Sequence, residues 1–404
     1  MSDFSINTKL VHAGERRKKP IGQPVATPLY ATATYTYDSM AEMDAAFIGE
    51  GGDFVYSRYG NPTVSALEDA LAAIENGKVA VAFGSGMAAI HAALFACEIT
   101  NGSIVLASQD LYGASYDLLN KIFGVYGVKT KIADFNDLDE LKTKIEETKP
   151  RVLLAETISN PLLKICDVAA VSEIAHKNGA RLVVDNTFAS PYLCQPLSLG
   201  ADFTVHSATK YLSGHADAMG GIVVSNEEFD RAALVGVMKL VGGVLSVWEA
   251  HHILRGIKTL GLRIEKQCAN AAILAEHLAK NKFIEKVYYP NLDDKSLTNK
   301  VLRENLGGAL VSIKLKNDTT DAAWKFMDNL KLCVRATSLG DVYTLVSHSA
   351  SSSHRELSPK RRADLGISDG LVRISVGIED VKDIIEDIEQ ALKMENGKRK
   401  MENI

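Results

Sequence analysis

The 404-residue sequence has few cysteines and no long apolar run. Its five cysteines are scattered, odd in number and without a C-x-x-C pair. This argues against a disulfide framework or a zinc site and favours a reducing compartment. No stretch approaches the roughly 18–20 apolar residues of a transmembrane helix, and the first residues lack the basic start and apolar core of a signal peptide. We therefore expect a cytoplasmic protein with no metal site and no membrane partner.

An excess of charge of either sign is also absent. The sequence has 45 Lys and Arg residues against 50 Asp and Glu residues, for a formal net charge of −5. Such a balance does not suggest a nucleic-acid partner or an anionic membrane. With 46% apolar residues, the chain has the composition of a globular protein and is long enough for two or three domains.

Short apolar runs alternate with amphipathic segments between residue 61 and about residue 230. The runs are strand-like, and apolar residues recur at helical spacing between them. The runs are 79–83, 103–107, 151–156, 181–185, 203–207 and 221–225. Strands that are apolar throughout and separated by helices predict a parallel sheet covered by helices on both faces. The predicted fold class is therefore α/β.

Three regions are predicted along the chain. Residues 1–60 show little periodicity and are interpreted as an extended N-terminal arm. Residues 61–256 carry the alternating pattern of the α/β domain. Residues 257–404, with longer charged helices and a few strands, are expected to form a smaller C-terminal α+β domain.

Several polar residues stand at or just after the ends of the predicted strands. Asp185 is the last residue of one strand, and Tyr112 and Asn160 follow two others. In an open α/β sheet, ligands bind at the carboxyl ends of the strands. Gly86 opens a helix in the segment FGSGMAAI. Its Gly-Ser-Gly turn lets backbone N–H groups approach an anion, although a plain helix cap has the same pattern.

The segment SATKYLSGH places Lys210 beside two hydroxyl residues at the end of another strand. Ser207 and Thr209 can donate hydrogen bonds to a phosphate, which would bring an attached aldehyde within reach of the lysine. An ordinary surface lysine is the alternative. Together with the anion-binding turn, the aromatic residue and the strand-end carboxylate, this lysine points to pyridoxal 5'-phosphate (PLP). PLP needs a lysine Schiff base, a phosphate cradle and an acidic partner for its pyridine nitrogen.

From about residue 8 to residue 392, the sequence resembles the trans-sulfuration enzymes, which are PLP-dependent enzymes of cysteine and methionine metabolism. The segments that carry the resemblance are YSRYGNPT, FGSGMAAI, DLYG, VVDNTFASPY, HSATKYLSGH, RGIKTLGLR and GLVRISVGIED. The resemblance implies PLP fold type I, a mostly parallel sheet with helices on both faces and a smaller C-terminal α+β domain. It also implies a homotetramer, assembled as a dimer of dimers with active sites shared between subunits.

The resemblance further implies cofactor roles for individual residues. Lys210 would hold PLP, Tyr112 would stack on the ring and serve as acid or base, and Asp185 would keep the pyridine nitrogen protonated. The other implied cofactor contacts come from Gly86, Met87, Asn160, Ser207 and Thr209, and from Tyr56 and Arg58 of a neighbouring subunit.

The substrate's α-carboxylate would be bound by Arg373, a task that suits a bidentate guanidinium. Ser338 would support the same end of the substrate, and Tyr56 would reach it from the neighbouring subunit. These assignments also rest on the resemblance.

The wall facing the far end of the substrate separates the activities within the family. Cystathionine γ-lyases tend to have a glutamate at the positions of Val55 and Thr337 and often an arginine at that of Asp117. Methionine γ-lyases usually have a cysteine at the position of Ala114. The pocket therefore resembles those of methionine γ-lyases and O-acetylhomoserine sulfhydrylases more than those of cystathionine γ-lyases. Asp117 is either a solvated residue at a helix start or a pocket residue that favours a cationic substrate.

We predict a carbon–sulfur lyase that acts by γ-elimination on methionine- or homocysteine-type amino acids and releases a thiol, 2-oxobutanoate and ammonia. The sequence does not decide between elimination and replacement. A γ-replacement synthase (an O-acylhomoserine sulfhydrylase or a cystathionine γ-synthase) and a cystathionine γ-lyase therefore remain alternatives. A fold type I aminotransferase and a non-catalytic PLP-binding protein are the other classes considered.

Overall fold

The computed structural model describes residue 22 and residues 24–50 and 54–397, which form two β-sheets surrounded by helices. The strands are β1 (Val79–Phe83), β2 (Ile104–Ser108), β3 (Lys129–Ala133), β4 (Val152–Glu156), β5 (Arg181–Asp185), β6 (Phe203–Ser207), β7 (Gly221–Ser225), β8 (Ile284–Tyr288), β9 (Leu310–Leu315), β10 (Val334–Arg335), β11 (Leu345–His348) and β12 (Leu371–Ser375).

The α-helices comprise Met40–Ile48, Pro62–Ile74, Gly86–Ala96, Gly113–Asp117, Leu138–Thr148, Val168–Lys177, Ser190–Leu193, Asp230–Val241, Val247–Ile257, Leu260–Leu278, Pro290–Asp293, Lys295–Val301, Thr320–Asp328, Pro359–Asp364 and Val381–Gly397. One π-helical turn covers Leu118–Ile122, and short 3-10 helices cover Phe123–Tyr126, Pro196–Leu199 and Ser349–Ser351. Within the described ranges, no helix combines the length and the apolar character that crossing a membrane requires.

The larger sheet has seven strands in the order β1-β7-β6-β5-β4-β2-β3. From β6 to β3 the neighbouring strands are parallel, whereas β7 pairs antiparallel with both β1 and β6. The predicted α/β class and the mostly parallel sheet are confirmed. Six of the seven strands coincide, within one residue at either end, with the apolar runs of the sequence.

The seventh strand, β3, lies at the edge of this sheet and was not predicted. Three of its five residues are exposed, and its sequence KTKIA contains two lysines. An edge strand with charged, solvated side chains does not form the apolar run that identifies a buried strand.

Helices cover both faces of the larger sheet, which explains why its central strands are apolar throughout. Along β4, Val152 and Leu154 share a buried cluster with the helix Gly86–Ala96. Leu153 and Ala155 lie in a separate cluster on the opposite face. Fully burying each large aliphatic side chain contributes about 1.5–3 kcal/mol to folding, so these two clusters fix the sheet and the helix above it.

The smaller sheet has five strands in the order β10-β11-β12-β9-β8. The 19-residue helix Leu260–Leu278 packs on both sheets, since Leu260 and Ile264 lie in a cluster with the larger sheet and Leu274 and Leu278 in the cluster of the smaller one. A second sheet is consistent with a C-terminal domain. The boundary between residues 256 and 257 stays a prediction, because this helix belongs to both cores.

The N-terminal arm is not extended throughout, contrary to the prediction for residues 1–60. Met40–Ile48 form a helix. Ser39 Oγ accepts a hydrogen bond from Glu42 N at 3.2 Å, and the Glu42 carboxylate accepts one from Asp38 N at 3.1 Å. These two hydrogen bonds at its N-terminus stabilise a helix whose apolar stripe is weak. Residues 1–21, 23 and 51–53 of the predicted arm lie outside the described residues.

A glycine in β7 allows this strand to approach the turn that precedes the helix Gly86–Ala96. A Cβ atom at Gly221 would lie 2.1 Å from the Ser85 carbonyl oxygen and 2.8 Å from the Gly86 Cα atom. Both contacts are with backbone atoms, so a side chain here would force the strand and the turn apart.

We expect the substitution Gly221→Ala to lower the free energy of unfolding by about 1–3 kcal/mol, the cost of overpacking a filled interior. Gly236→Ala is the matched control. Gly236 lies in the helix Asp230–Val241, and a Cβ atom there has nothing within 4 Å. The control should gain up to about 1 kcal/mol from helix propensity. Chemical denaturation followed by circular dichroism measures both values, and equal stability of the two variants would contradict the packing argument.

Candidate active site

Three neighbouring strands of the larger sheet end in polar side chains. β4 ends at Glu156, β5 at Asp185 and β6 at Ser207. Glu156 is paired with Asp185, and Asp185 with Val205, in parallel register. Because side chains alternate along a strand, the three polar groups lie on one face of the sheet. Val205 packs against the helix Gly86–Ala96, so this helix covers that face.

The first turn of this helix lies directly against the end of β6. A Cβ atom at Gly86 would lie 2.9 Å from Ser207 Cβ and 3.2 Å from Ser207 Oγ, so a glycine is needed for this approach. Ser85 caps the helix, and its Oγ accepts a hydrogen bond from Ala88 N at 3.2 Å. The unpaired N–H groups of the first turn and the Ser207 hydroxyl together form a cradle for an anion.

Thr187 connects Asp185 with Ser207. Thr187 N donates to Asp185 Oδ1 at 2.9 Å, and Ser207 N donates to Thr187 Oγ1 at 2.8 Å. Burial raises the pKa of Asp185, and the hydrogen bonds from Thr187 and the charge of His206 act in the opposite direction. A cationic ligand group placed against this carboxyl would favour its ionised form.

Lys210 is the centre of a second group of polar residues. Its Nζ atom donates to Ser338 Oγ at 3.0 Å. Burial in the first place, and then the positive charge of Arg373, lower the pKa of Lys210. A larger fraction of the amine is therefore neutral than for an exposed lysine, and the neutral amine is the form that attacks an aldehyde or accepts a proton.

Arg373 is buried beside this lysine and held from two sides. Its Nη1 donates to Asn160 Oδ1 at 3.0 Å and its Nη2 to the Ser338 carbonyl at 3.2 Å. The Phe188 ring centroid lies 5.7 Å from its Cζ atom, and its Nε has no partner among the described residues. Burial lowers the pKa of Arg373 to about 10. The guanidinium therefore keeps its charge at neutral pH and can bind an anionic group.

Tyr112 and Glu156 connect the two groups. The Tyr112 side chain is 40% exposed, and Tyr112 N donates to Glu156 Oε1 at 2.6 Å. Glu156 was not among the predicted site residues. It ends its strand as Asp185 does, so the rule that strand-end carboxylates face a ligand would have identified it.

His354 is a second residue of this region to which the sequence analysis gave no role. It is buried, and its Nδ1 lies 2.8 Å from Ser353 Oγ. Burial, followed by the charge of Arg373, lowers the pKa of His354 to about 4. The imidazole is therefore neutral at physiological pH and adds no charge beside Arg373. The sequence segment SHSASSSHREL shares the spacing of His354 and the leucine that follows it with sulfhydrylases, but this spacing alone assigned the residue no role.

Tyr56 and Arg58 make their contacts elsewhere. Arg58 Nη1 donates to the Lys239 carbonyl at 2.7 Å, and its Cζ atom lies 4.8 Å from the Tyr59 ring centroid. Tyr56 is 39% exposed. Neither residue has a hydrogen bond or ring contact with the Lys210 group in the described part of the chain. This arrangement agrees with, but does not test, a role in a neighbouring subunit.

Two further predicted cofactor residues lie on the elements that flank the anion cradle. Thr209 Oγ1 accepts a hydrogen bond from Gly220 N at 3.1 Å. The Met87 side chain is partly buried against the core on the helix side of the sheet. Of this residue, only its backbone N–H in the first helical turn is available for the predicted contact.

The residues predicted for the far wall of the pocket are less buried than Arg373 and Asn160 at its other end. Thr337 is exposed, and Val55 and Ala114 are partly buried. Asp117 forms an ion pair of 3.0 Å with Lys121, and the Asp117 side chain is 44% exposed. This pairing favours the interpretation of Asp117 as a solvated helix residue.

The chemistry of these groups fits PLP. A glycine-lined anion cradle, a partly buried strand-end carboxyl and a partly buried lysine are the three features that this cofactor needs. In the described ranges, no three or more His, Cys, Asp and Glu side chains are grouped so that they could hold a metal ion. The sequence profile of the Cys/Met metabolism PLP-dependent enzymes matches residues 7–393. The chain belongs to this family.

Relatives along the full length agree with this assignment. The L-methionine gamma-lyase of Fusobacterium nucleatum is 41% identical over 397 residues, which cover 97% of this chain and 99% of the relative. A cystathionine beta-lyase of Lactococcus lactis is 38% identical and covers 96% and 99% of the two chains. The crystal structure of a cystathionine gamma synthase from Xanthomonas oryzae, in complex with aminoacrylate and cysteine, superposes with a TM-score of 0.85 at 34% identity and covers 92% of this chain and 93% of that one.

The family and its members confirm several predictions made from the sequence. The protein is a PLP-dependent enzyme of cysteine and methionine metabolism, and it has the fold of its PLP fold type I relatives. Lyases and a synthase both occur among these relatives, as the predicted function and its alternatives require. The roles of the individual residues stay predictions.

We expect Lys210→Ala to abolish covalent cofactor attachment and turnover while the protein remains folded, because Lys210 is the partly buried amine beside Arg373. The exposed Lys258 provides the control, and Lys258→Ala should keep both properties. Borohydride reduction followed by peptide mapping identifies the modified lysine. Cofactor found on another lysine of the Lys210→Ala protein would place the attachment site elsewhere.

Proposed function

We propose that this enzyme is a carbon–sulfur lyase that eliminates the γ-substituent of methionine- or homocysteine-type amino acids. The products are a thiol, 2-oxobutanoate and ammonia. The observation that carries the proposal is the group formed by Lys210, Ser338 and Arg373. In this group an amine with a lowered pKa lies next to a guanidinium that is held in place and can bind a carboxylate. When bound, PLP supplies an electron sink for negative charge at the substrate's α-carbon.

Arg373 would fix the substrate by its α-carboxylate. Its contacts with Asn160 and the Ser338 carbonyl hold the guanidinium plane in place. A preoriented guanidinium binds a carboxylate with two parallel hydrogen bonds and restricts the rotation of the α-carbon. The Nε atom, which has no partner in the described ranges, is a donor that such a carboxylate can use.

The Nζ atom of Lys210 would accept the proton from the substrate's α-carbon. Its lowered pKa, caused first by burial and then by Arg373, provides the neutral amine that accepts a proton. The hydrogen bond to Ser338 Oγ directs the amine toward the carboxylate end of the pocket. Because the acceptor and the anchor lie side by side, the α-carbon is brought to the base.

Tyr112 would assist departure of the thiol. Its side chain is partly exposed while its backbone is bonded to Glu156. The backbone is therefore held in place, and the ring is free to rotate toward the substrate. A phenol can give a proton to a sulfur that leaves from the γ-carbon.

The far wall of the pocket supports a small, uncharged substrate end. Val55, Ala114 and Thr337 carry no charge, and Asp117 is paired with Lys121 at 3.0 Å. The charged amino-acid end of cystathionine would have to be desolvated there without partners, whereas a methylthio group needs none. Replacement by an added thiol is the second candidate, supported by the similarity to the cystathionine gamma synthase structure.

We also infer that the enzyme works as a homotetramer, a dimer of dimers with shared active sites, in the cytoplasm. The partly exposed ring of Tyr56 and the position of Arg58, bonded to Lys239 rather than to the Lys210 group, support a contribution to a neighbouring subunit. The absence of any disulfide among the five buried free cysteines supports a reducing compartment.

We expect kcat/KM to be higher for methionine, homocysteine or an O-acylhomoserine than for cystathionine. Leaving each charged group of cystathionine unpaired costs about 1–3 kcal/mol, roughly 5- to 100-fold. The assay measures 2-oxobutanoate and thioether product, with and without added thiol, and thereby separates elimination from replacement. Asp117→Asn should leave methionine turnover nearly unchanged. A tenfold or greater preference for cystathionine would instead assign the enzyme as a cystathionine γ-lyase.

Mixing two inactive variants tests whether the sites are shared. Lys210→Ala and Arg58→Ala subunits, unfolded or dissociated together and reassembled, should regain activity because a mixed dimer contains one site with both residues intact. Lys210→Ala mixed with Ser338→Ala is the control. These two residues contact each other within one chain, so no mixed site is complete. Activity that fails to return in the first mixture, although mixed dimers form, would show that Arg58 does not contribute to a neighbour's site.

A further inference from the structure

Glu156 is a buried carboxyl at the junction of the two groups of site residues. Its Oε1 atom accepts a hydrogen bond from Tyr112 N at 2.6 Å. Its Oε2 atom is buried and has no hydrogen-bond partner among the described residues. A buried carboxylate oxygen without a donor or a cation loses the hydration that stabilises its charge.

The register of the sheet places a second carboxyl beside it. Glu156 and Asp185 are paired residues of the parallel strands β4 and β5, so their side chains project from the same face of strands about 4.8 Å apart. Two buried carboxylates at such a separation repel each other, and one of them retains its proton. No ion pair in the described part of the chain involves Glu156, and the nearby carboxyl of Asp110 is itself paired with Lys164 at 2.9 Å.

The surroundings determine which of the two carboxyls is neutral. Burial, and next the charge of Asp185, raise the pKa of Glu156 well above its ordinary value, and Asp110 adds to the effect. The backbone amides of Tyr112 and Asn160 act in the opposite direction. Asp185 differs from Glu156 in two respects. The side chain of Thr187 as well as its backbone amide lowers the pKa of Asp185, and so does the charge of His206, whereas only backbone amides lower that of Glu156. The proton therefore belongs to Glu156.

We propose that Glu156 is a positioning residue that acts as a neutral carboxylic acid. Its Oε1 atom holds the backbone of Tyr112, its Oε2 atom carries the proton, and Asp185 is left as the one negative charge facing the cofactor ring. This proposal rests on the proposed function, because it assigns Tyr112 and Asp185 to the cofactor. A carboxylate at position 156 would still accept from Tyr112 N, but it would place a second negative charge beside Asp185.

Two substitutions of similar size separate the hydrogen bond from the charge. Glu156→Gln keeps a carbonyl acceptor for Tyr112 and carries no charge, so it reproduces a neutral acid. Glu156→Leu removes the acceptor and leaves the Tyr112 N–H unpaired. We expect Glu156→Gln to keep kcat within about threefold of the wild-type value. Glu156→Leu should lower kcat by about 5- to 100-fold, which is the change in rate that corresponds to the cost of leaving a buried donor unpaired. KM should change less, because Arg373 is untouched.

A spectroscopic measurement on the holoenzyme reads the protonation state directly. The infrared difference spectrum of wild type minus Glu156→Gln should contain the C=O stretch of a buried carboxylic acid at neutral pH. The cofactor absorbance of both proteins should titrate with the same midpoint. A carboxylate band in place of the acid band, or a shifted midpoint in Glu156→Gln, would overturn the proposal. The infrared result stands even where Glu156→Leu fails to fold.

The same samples separate the failure of this inference from a failure of the proposed function. Covalent attachment of the cofactor at Lys210 and formation of 2-oxobutanoate by the wild-type enzyme test the function. If both are observed and Glu156 is ionised, only the inference fails. If neither is observed, the function fails regardless of the state of Glu156.

Discussion

The parallel register of β4, β5 and β6 is the constraint on which the rest of the site depends. Because these strands end at neighbouring positions, Glu156, Asp185 and Ser207 share one face and one edge of the sheet. The helix Gly86–Ala96 can approach this edge only because position 86 has no side chain. A slip of one residue in any of the three strands would turn its polar group to the opposite face.

Burial of charge is the second constraint, and it follows from the first. Lys210, Asp185, Glu156 and Arg373 are gathered where water is scarce, and burial acts against the charged form of each. The pKa of Lys210 falls and those of the carboxyls rise, so burial favours the neutral form of each of these groups. Arg373 keeps its charge at neutral pH, which suits a group that binds rather than reacts.

Much of this arrangement could be predicted from the sequence, for a physical reason. The central strands are buried on both faces, so their apolar runs mark them, and the polar residue that ends each run marks the site edge. Strand β3 could not be predicted in this way because its two lysines interrupt the apolar pattern. Glu156 ends its strand as Asp185 does, so its position could have been identified from the sequence, but its pairing with Asp185 depends on the register of the sheet. The helix Met40–Ile48 was not predicted because its cap, and not an apolar stripe, stabilises it. The resemblance to a family, and not periodicity, supplied the roles of Arg373 and Ser338.

The proposed shared active site would couple specificity to assembly. The carboxylate end of the pocket, formed by Arg373 and Ser338, comes from the smaller sheet and the loop beside it. Val55 lies in the segment that contains Tyr56 and Arg58. Arg58 is bonded to Lys239, and Tyr56 has ring contacts with Tyr59 and Arg58. If this segment completes a neighbour's pocket, the wall that distinguishes a methylthio group from a charged amino-acid tail is formed only on association. Substitutions on one subunit would then change the substrate preference of the other, while the chemistry at Lys210 stays within a single chain.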